Sequence, residues 1–530
     1  MTTTAPAPTA GTEPGTLLTH RQVMLVFAGL MLGVLLASLD QTIVSTALPS
    51  ILSDIGGGSH LSWVVTAYLL TSTASTPLYG KISDLYGRKS VFQTAIVVFL
   101  VGSALCGLSQ NLLELVLFRG IQGLGAGGLI SLALAIVGDV VSPRERGRYQ
   151  GYFGAVFAVS SVGGPLIGGF LTDSLSWRWV FYVNLPIGLV AFLVTGTVLR
   201  LPYVRRNHKI DFTGSGVLIA GVSALLLVTV WGGQQYAWTS PTIIGLAVAA
   251  VLLLALFIWV EHTASEPILP LHLFRNEVFR VSGLVVFLVG AALFGVIVYL
   301  PEYLQVTHNA SATSSGLQLI PLMAGVLTAS IGSGRLISRL GRYKMFVVAG
   351  TGLLTLGLGL MTQISANTNR VVLSLFMVVV GLGIGCCMQN LTLAVQNSVD
   401  YRDLGTATAA NTFFRSLGGA IGVAVLGAVF SAQLTAGIAK VAPPGASLSG
   451  SGFQVSRIQH LPEPLHTEVL NAFAHALDVA FIVAVGVALV AFLGAMLLRE
   501  IRLGTRSGLE SAAAAQRLEA ANEMQPVEPI

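Results

Sequence analysis

The stretch LLASLDQTIVSTALP, residues 35–49, decides the fold. It places one carboxylate, Asp40, near the end of an apolar run that begins at about residue 23. A membrane-spanning helix needs about 20 mostly apolar residues, and windows of that kind return along the whole chain. The spans are 23–47, 62–80, 91–108, 115–137, 149–172, 179–199, 212–232, 242–260, 281–303, 315–333, 345–363, 371–392, 407–431 and 476–498, fourteen in all. With 54% hydrophobic and 10% charged residues, the solvent for most of the chain is lipid. Backbone groups in lipid pair within a helix or around a closed barrel, and windows that are continuously apolar rather than alternating are helical. The expected fold class is all-α, a polytopic membrane protein with 14 transmembrane helices.

Positive charge sorts by side, because cytoplasmic loops accumulate Lys and Arg during insertion. Twenty-two of the 28 basic residues fall on the N-terminus, the loops that follow even-numbered spans, and the C-terminus. Arg178, Arg370, Lys440 and Arg457 fall opposite, while Arg119 and Arg415 lie inside spans. Both termini are therefore expected in the cytoplasm, with the chain in a bacterial cytoplasmic membrane. Basic residues scattered over many short loops explain the pI of 9.2 and form no nucleic-acid surface.

Residues 1–21, MTTTAPAPTAGTEPGTLLTHR, lack the basic start and short apolar core of a cleaved signal, and read as a disordered cytoplasmic tail. Residues 501–530 read as a second cytoplasmic tail, with SAAAAQRLEAANEM a loose surface helix. Cys106, Cys386 and Cys387 fall in or at the ends of spans, so neither a disulfide framework nor a metal site is expected, and no cofactor is implied.

The chain repeats itself. GKISDLYGRK at 80–89 returns as GRLISRLGRY at 334–343, an offset of 254. QGLGAGG at 122–128 returns as VGLGIGC at 380–386, and SVGGPLIGG at 161–169 as SLGGAIGVA at 416–424. Three pairs in one order predict two related six-span halves. These are residues 22–200 and 276–500, the latter with a long outer loop at 432–475. Residues 201–275 form a linker carrying two extra transmembrane helices.

At these residues a resemblance becomes recognisable. GKISDLYGRK is similar to the loop between the second and third helices of the major facilitator superfamily, and LFRGIQGLGAGG resembles the arginine-bearing fourth-helix motif of its proton-coupled members. GYFGAVFAVSSVGGPLIGG, 151–169, resembles the fifth-helix antiporter motif through Gly151, Gly164, Pro165, Gly168 and Gly169, with Ser160 standing where a second glycine belongs. LDQTIVSTALP and WRWVFYVNLPIG are similar to hallmarks of the fourteen-span drug:proton antiporter branch. The resemblance covers residues 20–500 and implies an exporter working by alternating access, with an acid in the first helix as proton carrier.

An ionisable group at bilayer depth costs about 2.5–3.5 kcal/mol on insertion scales, so each one needs a partner or a task. Asp40 and Arg119 share a depth in the outer half of spans 1 and 4. One reading makes them a buried ion pair that orients two helices. The other makes Asp40 a titrating acid, since desolvation favours its protonated form and a close arginine its charged form. No histidine falls within these spans, so a proton carrier has to be a carboxylate, and Asp40 is the deepest. Gln122, Glu302 and Arg415 are further candidates for the cavity or for coupling. Glu302 faces either the aqueous boundary or the mouth of a cavity, the former being the plainer reading, and Arg415 either snorkels to the cytoplasmic side or acts in transport. Asp139, near Arg144, Arg146 and Arg148, reads as a loop-ordering acid.

GLGAGG matches the dinucleotide fingerprint formally, yet it sits inside an apolar helix with no preceding strand, where glycine serves close helix approach. In the 80–89 loop, Gly80 and Gly87 are expected to permit a tight turn, while Asp84, Arg88 and Lys89 supply charges that bond across the cytoplasmic face in one conformation and release in the other. Together they read as a cytoplasmic gate motif. The sequence carries no G-x-x-x-x-G-K-[ST] and no large soluble domain, which excludes an ATP-driven pump, and no ligand cluster at membrane depth, which excludes an embedded enzyme. The expected function is proton-coupled export of drug-like or amphipathic small molecules by a monomer in the lipid bilayer. A dedicated exporter of one metabolite, amino acid or lipid shares every feature above.

Overall fold

The computed structural model describes residues 20–56, 62–199, 211–233, 235–264, 266–307, 312–365, 368–441 and 465–505. Most of both expected tails and the centre of the expected outer loop lie outside the described residues. The first half runs α1 His20–Ile55, α2 Ser62–Tyr86, α3 Arg88–Leu108, α4 Leu112–Val140, α5 Pro143–Ser174, α6 Trp179–Tyr182 and α7 Asn184–Val198. A hairpin of α8 Phe212–Trp231 and α9 Pro241–Thr263 follows. Then come α10 Glu277–Thr307, α11 Ala312–Gln318, α12 Ile320–Leu340, α13 Lys344–Met361, α14 Arg370–Ser398, α15 Leu404–Val441 and α16 Leu465–Met496. The fold is all-α, with no strand among the described residues beyond an isolated bridge between Gly232 and Tyr236.

Thirteen helices among the described residues are long and apolar enough to cross a membrane. The fourteenth expected span, 62–80, is a full helix of 25 residues, α2, whose Ser- and Thr-rich middle keeps it from that set. Those hydroxyls are used inside the bundle. Thr76 donates to Gly127 O at 3.3 Å and Ser75 to Leu124 O at 3.3 Å, both on α4.

Several boundaries differ from the sequence reading for identifiable reasons. The sixth span, Trp179–Val198, carries a one-residue interruption: Pro186 has no N–H and its ring crowds the carbonyl one turn back, so the helical hydrogen bonding lapses at Val183, which keeps helical dihedrals (φ −60°, ψ −25°) between α6 and α7. The tenth is divided into α11 and α12 just before Pro321, which takes the first turn of α12, where a missing N–H costs nothing. Residues 432–441 and 465–475 of the expected outer loop are helical, extending α15 and opening α16. His466 and His475, like His262 in the last turn of α9, consequently stand on spanning helices, contrary to the expectation that no histidine does. Residues 501–505 are pinned: Ile501 N donates to the Tyr343 hydroxyl at 3.1 Å, Asn397 to Ile501 O at 3.3 Å, and Arg144 N to Gly504 O at 3.1 Å.

Packing separates the helices into two sets. In one, α4 is central, against α1, α2 and α3, with α5 and α7 on α1; in the other, α14 lies against α10, α12 and α13, with α16 on α10, α13 and α15. The α8–α9 hairpin packs on α2 and α15, and the sets meet through α5 with α12 and α14, and through α15 with α2 and α4.

The repeated glycine motif acts identically in both sets. A Cβ at Gly123 or Gly127 would strike the backbone of α2, and one at Gly125 that of α3. At the corresponding positions, Gly381 and Gly385 face the backbone of α12, and Gly383 that of α13. Each triplet lets one central helix touch two neighbours at backbone distance.

Candidate functional site

Asn184, the first residue of α7, is fully buried and its amide meets Asp40 of α1 and Ser103 of α3, which Gln122 of α4 also reaches; Arg119 of α4 joins through Asp40. Arg119 and Gln122 are three residues apart on one helical face. The Asp40 carboxylate is fully buried, and each of its contacts is a donor: Arg119 Nη1 on Oδ2 at 2.5 Å, and Gln122 Nε2 at 2.8 Å and Asn184 Nδ2 at 3.0 Å on Oδ1. This set suits an ionised carboxylate, which only accepts. Arg119, 1% exposed, also donates to Gln122 Oε1 at 2.8 Å and to Val64 O at 3.2 Å, and its guanidinium lies 4.1 Å from the centre of the Tyr68 ring. Ser103 Oγ accepts from Gln122 at 3.1 Å and Asn184 at 3.1 Å while donating to Phe181 O at 2.8 Å. Arg119 is thus paired with a carboxylate and set against an aromatic ring at once, and the network draws on six helices, α1 to α4, α6 and α7.

A second charged cluster occupies the opposite, basic end of the same helices. Gly87, at φ 91°, closes α2 and opens α3, a conformation that favours glycine. This turn brings Arg88 Nη1 to Asp84 Oδ1 at 2.5 Å and Arg88 Nε to Asp139 Oδ2 at 2.8 Å. The other Asp84 oxygen accepts from Thr406 N and Thr406 Oγ1, both at 2.8 Å, so a carboxylate of the first set caps the N-terminus of α15 in the second. Gly80 takes no part in the turn; it lies within α2 and admits α15, with Gly405 O only 2.9 Å from where its Cβ would stand. Lys89 turns away from this contact and donates to Gly196 O at 2.5 Å.

The same face is sewn by Arg146, which is 2% exposed rather than a free loop cation. It donates to Val141 O at 2.9 Å, to Gly138 O, and across to Gln396 O at 3.5 Å. Gln150 donates to Gln396 Oε1 at 2.8 Å, and Gln396 donates in turn to Leu134 O at 3.0 Å. Of the antiporter-motif residues, Gly151 admits the α12 backbone at Ser330, Gly164 and Gly168 admit Thr42, Ile43 and Thr46 of α1, and Gly169 faces open space. Pro165 lies inside a helix that continues through it to Ser174.

The structure brings Asp40, Arg119 and Gln122 into one network and leaves Glu302 and Arg415 outside it. Both of these are partly buried and, among the described residues, have no hydrogen-bond or ion-pair partner. Sequence reasoning missed Asn184, Ser103, Thr406 and Gln396, which carry no charge to mark them at membrane depth. It also passed over Asp478, a half-buried acid on α16 that the span assignment already contained. No group of three His, Cys, Asp or Glu that could hold a metal occurs among the described residues.

Known proteins share this architecture. A family profile described as Major Facilitator Superfamily matches residues 30–214 and 212–423. An uncharacterized MFS-type transporter of Mycobacterium tuberculosis is 43% identical over 504 residues, covering 94% of this chain and 73% of the relative. The Multidrug transporter protein MdtP of Bacillus subtilis is 40% identical, covering 77% of this chain and 75% of its own, and Multidrug resistance protein 3 of the same organism 35%, covering 87% and 92%. Among solved structures, the human organic anion transporter MFSD10 (TETRAN) superposes with a TM-score of 0.62 at 18% identity, covering 90% of this chain and 99% of that one. The proton:xylose symporter XylE gives 0.60 at 16%, covering 93% and 100%, and both likenesses speak to the fold alone. A helical membrane protein with this repeat, these interfaces and these relatives is a multi-pass transporter, not an enzyme, and belongs to the major facilitator superfamily.

Proposed function

We propose that this transporter is a drug:proton antiporter that exports drug-like or amphipathic small molecules across the bacterial cytoplasmic membrane, with both termini in the cytoplasm and the monomer as the working unit. One observation carries the reading: Asp40 is a fully buried carboxylate held by three donors, with Arg119 at 2.5 Å. Protonating Asp40 removes its charge and frees Arg119, so a proton arriving from outside rearranges the contacts among α1, α4 and α7. That coupling is what an antiporter needs. Two Bacillus subtilis relatives, the Multidrug transporter protein MdtP and Multidrug resistance protein 3, support a multidrug substrate range.

The two helix sets, residues 22–200 and 276–500, act as bundles that rock about a central cavity, with α8 and α9 as an inserted pair. Asp84, seated on the N-terminus of α15, serves as the cytoplasmic latch, and Arg146, Gln150 and Gln396 seal the same face. One proton falling through 100 mV supplies about 2.3 kcal/mol, roughly a fifty-fold gradient of an uncharged cargo.

The test is a susceptibility and dye-efflux panel in cells with and without the gene, repeated with an uncoupler and with Asp40→Asn. Efflux that the uncoupler and Asp40→Asn both abolish is the expected result. Gradient-driven export that survives Asp40→Asn removes Asp40 from the mechanism, and export of one metabolite alone replaces the multidrug reading with a dedicated exporter.

A further inference from the structure

Two arginines stand inside the spans, and the chain treats them in opposite ways. Arg119 has a carboxylate, an amide, a backbone carbonyl and an aromatic face. Arg415, about a third of the way along α15, has no hydrogen-bond or ion-pair partner among the described residues. It lies eleven residues past Leu404, about 16 Å along the helix at 1.5 Å per residue, further than its stem stretches back towards the helix start. A cation at that depth without a counter-charge from its own chain calls for one from elsewhere.

What surrounds it indicates the kind. Asn411, one turn before Arg415, donates to Thr392 Oγ1 at 2.9 Å, which fixes the register of α15 against α14. The short connection at 399–403 makes these helices antiparallel. From that contact, Arg415 lies about 6 Å and Gln389 of α14 about 4.5 Å in the same direction, so the two share a level. Asn411 and Gln389 are 2% and 6% exposed, and the side-chain carbonyl oxygen of each has no hydrogen-bond partner. A guanidinium with no anion thus lies within about one helical turn, along the helix axes, of two buried acceptors with no donor.

We infer that Arg415, Asn411 and Gln389 form a subsite for an anionic amphipathic substrate, one whose carboxylate or similar group takes the arginine while an adjacent hydroxyl or N–H donates to the amides. The planar guanidinium suits a carboxylate through paired hydrogen bonds, and the buried acceptors select molecules that bring donors. This rests on the exporter reading and narrows its substrate class. The site belongs to the second helix set, whereas the Asp40 network belongs to the first, so cargo and proton are held apart.

The purified full chain in detergent is titrated with carboxyfluorescein, an anion, and ethidium, a cation, by fluorescence polarisation. Carboxyfluorescein binding is expected to weaken at least about tenfold in Arg415→Gln, to weaken less than that in Arg415→Lys, which keeps the charge but not the paired hydrogen bonds, and to weaken measurably in Gln389→Leu, with ethidium binding unmoved. Should Arg415→Gln fail to fold, the unaltered chain answers: carboxyfluorescein slows phenylglyoxal modification of Arg415, read on its peptide by mass spectrometry. A wild type that ignores carboxyfluorescein, an Arg415→Gln variant that binds it as tightly, or an unprotected Arg415 overturns the proposal. Anion binding that Arg415 controls, in a chain that moves no dye under a proton gradient in proteoliposomes, supports the subsite while sinking the exporter reading.

Discussion

At the scale of single residues, the pairing at Asp40 sets the consequences of altering it. Arg119 has no second carboxylate among its described contacts, so Asp40→Asn leaves a buried guanidinium without a counter-ion. Breaking a buried pair from one side costs about 3–5 kcal/mol, which shows as a lower melting temperature in detergent as well as lost efflux. The double variant Asp40→Asn with Arg119→Gln is expected to recover part of that stability and none of the proton-driven transport; a double variant no more stable than the single one contradicts the pairing. Asp40 and Arg119 were legible in the sequence because a charge in an apolar run has few explanations and two charges at one depth invite pairing, and Gln122 stood out only through the motif LFRGIQGLGAGG that carries Arg119. Asn184 and Ser103 were not, since an amide or hydroxyl is cheap enough in a helix to pass unremarked.

At the scale of helices, glycine decides how closely neighbours approach. A methyl added at Gly125 or Gly383 meets backbone atoms of α3 or α13 that cannot yield as a side chain would. Gly125→Ala and Gly383→Ala are each expected to lower the detergent melting temperature, by amounts similar to one another, through overpacking of about 1–3 kcal/mol. Gly163→Ala and Gly169→Ala, with nothing within 4 Å of the added carbon, serve as controls and should leave it unchanged or slightly raised. Unequal losses at Gly125 and Gly383 would separate the two triplets that the internal repeat equates. That repeat was visible before any coordinates, because the short motif recurs in order and the same packing demand selects the same residues. The ends of helices were harder to read. Apolarity marks where lipid is, whereas α1, α15 and α16 continue well past it, and α2 is kept polar by hydroxyls that find partners on α4.

At the scale of the whole molecule, the two helix sets meet on the basic face through few polar contacts, of which Asp84 on Thr406 is the most direct. Asp84→Asn weakens a charge-assisted contact worth about 1.5–3 kcal/mol and should shift the population towards states open at that face. A cysteine placed at Gln396 is expected to react with a membrane-impermeant maleimide about tenfold faster in the Asp84→Asn background, measured in inside-out vesicles. Equal labelling rates would relieve Asp84 of any part in closure. The inserted pair is tied to the same region. Lys81 of α2 holds Glu266 at 2.7 Å, His272 lies 2.8 Å from Asp403, and Asn276 donates to Ser398 O, so the segment after α9 is fastened to both sets. The outward side of α9 meanwhile presents Val248, Val251, Leu252 and Trp259 beyond the protein. If Asp84 is the latch proposed above, its parting drags this pair sideways through acyl chains, and the thickness and fluidity of the surrounding bilayer then act as a brake on turnover.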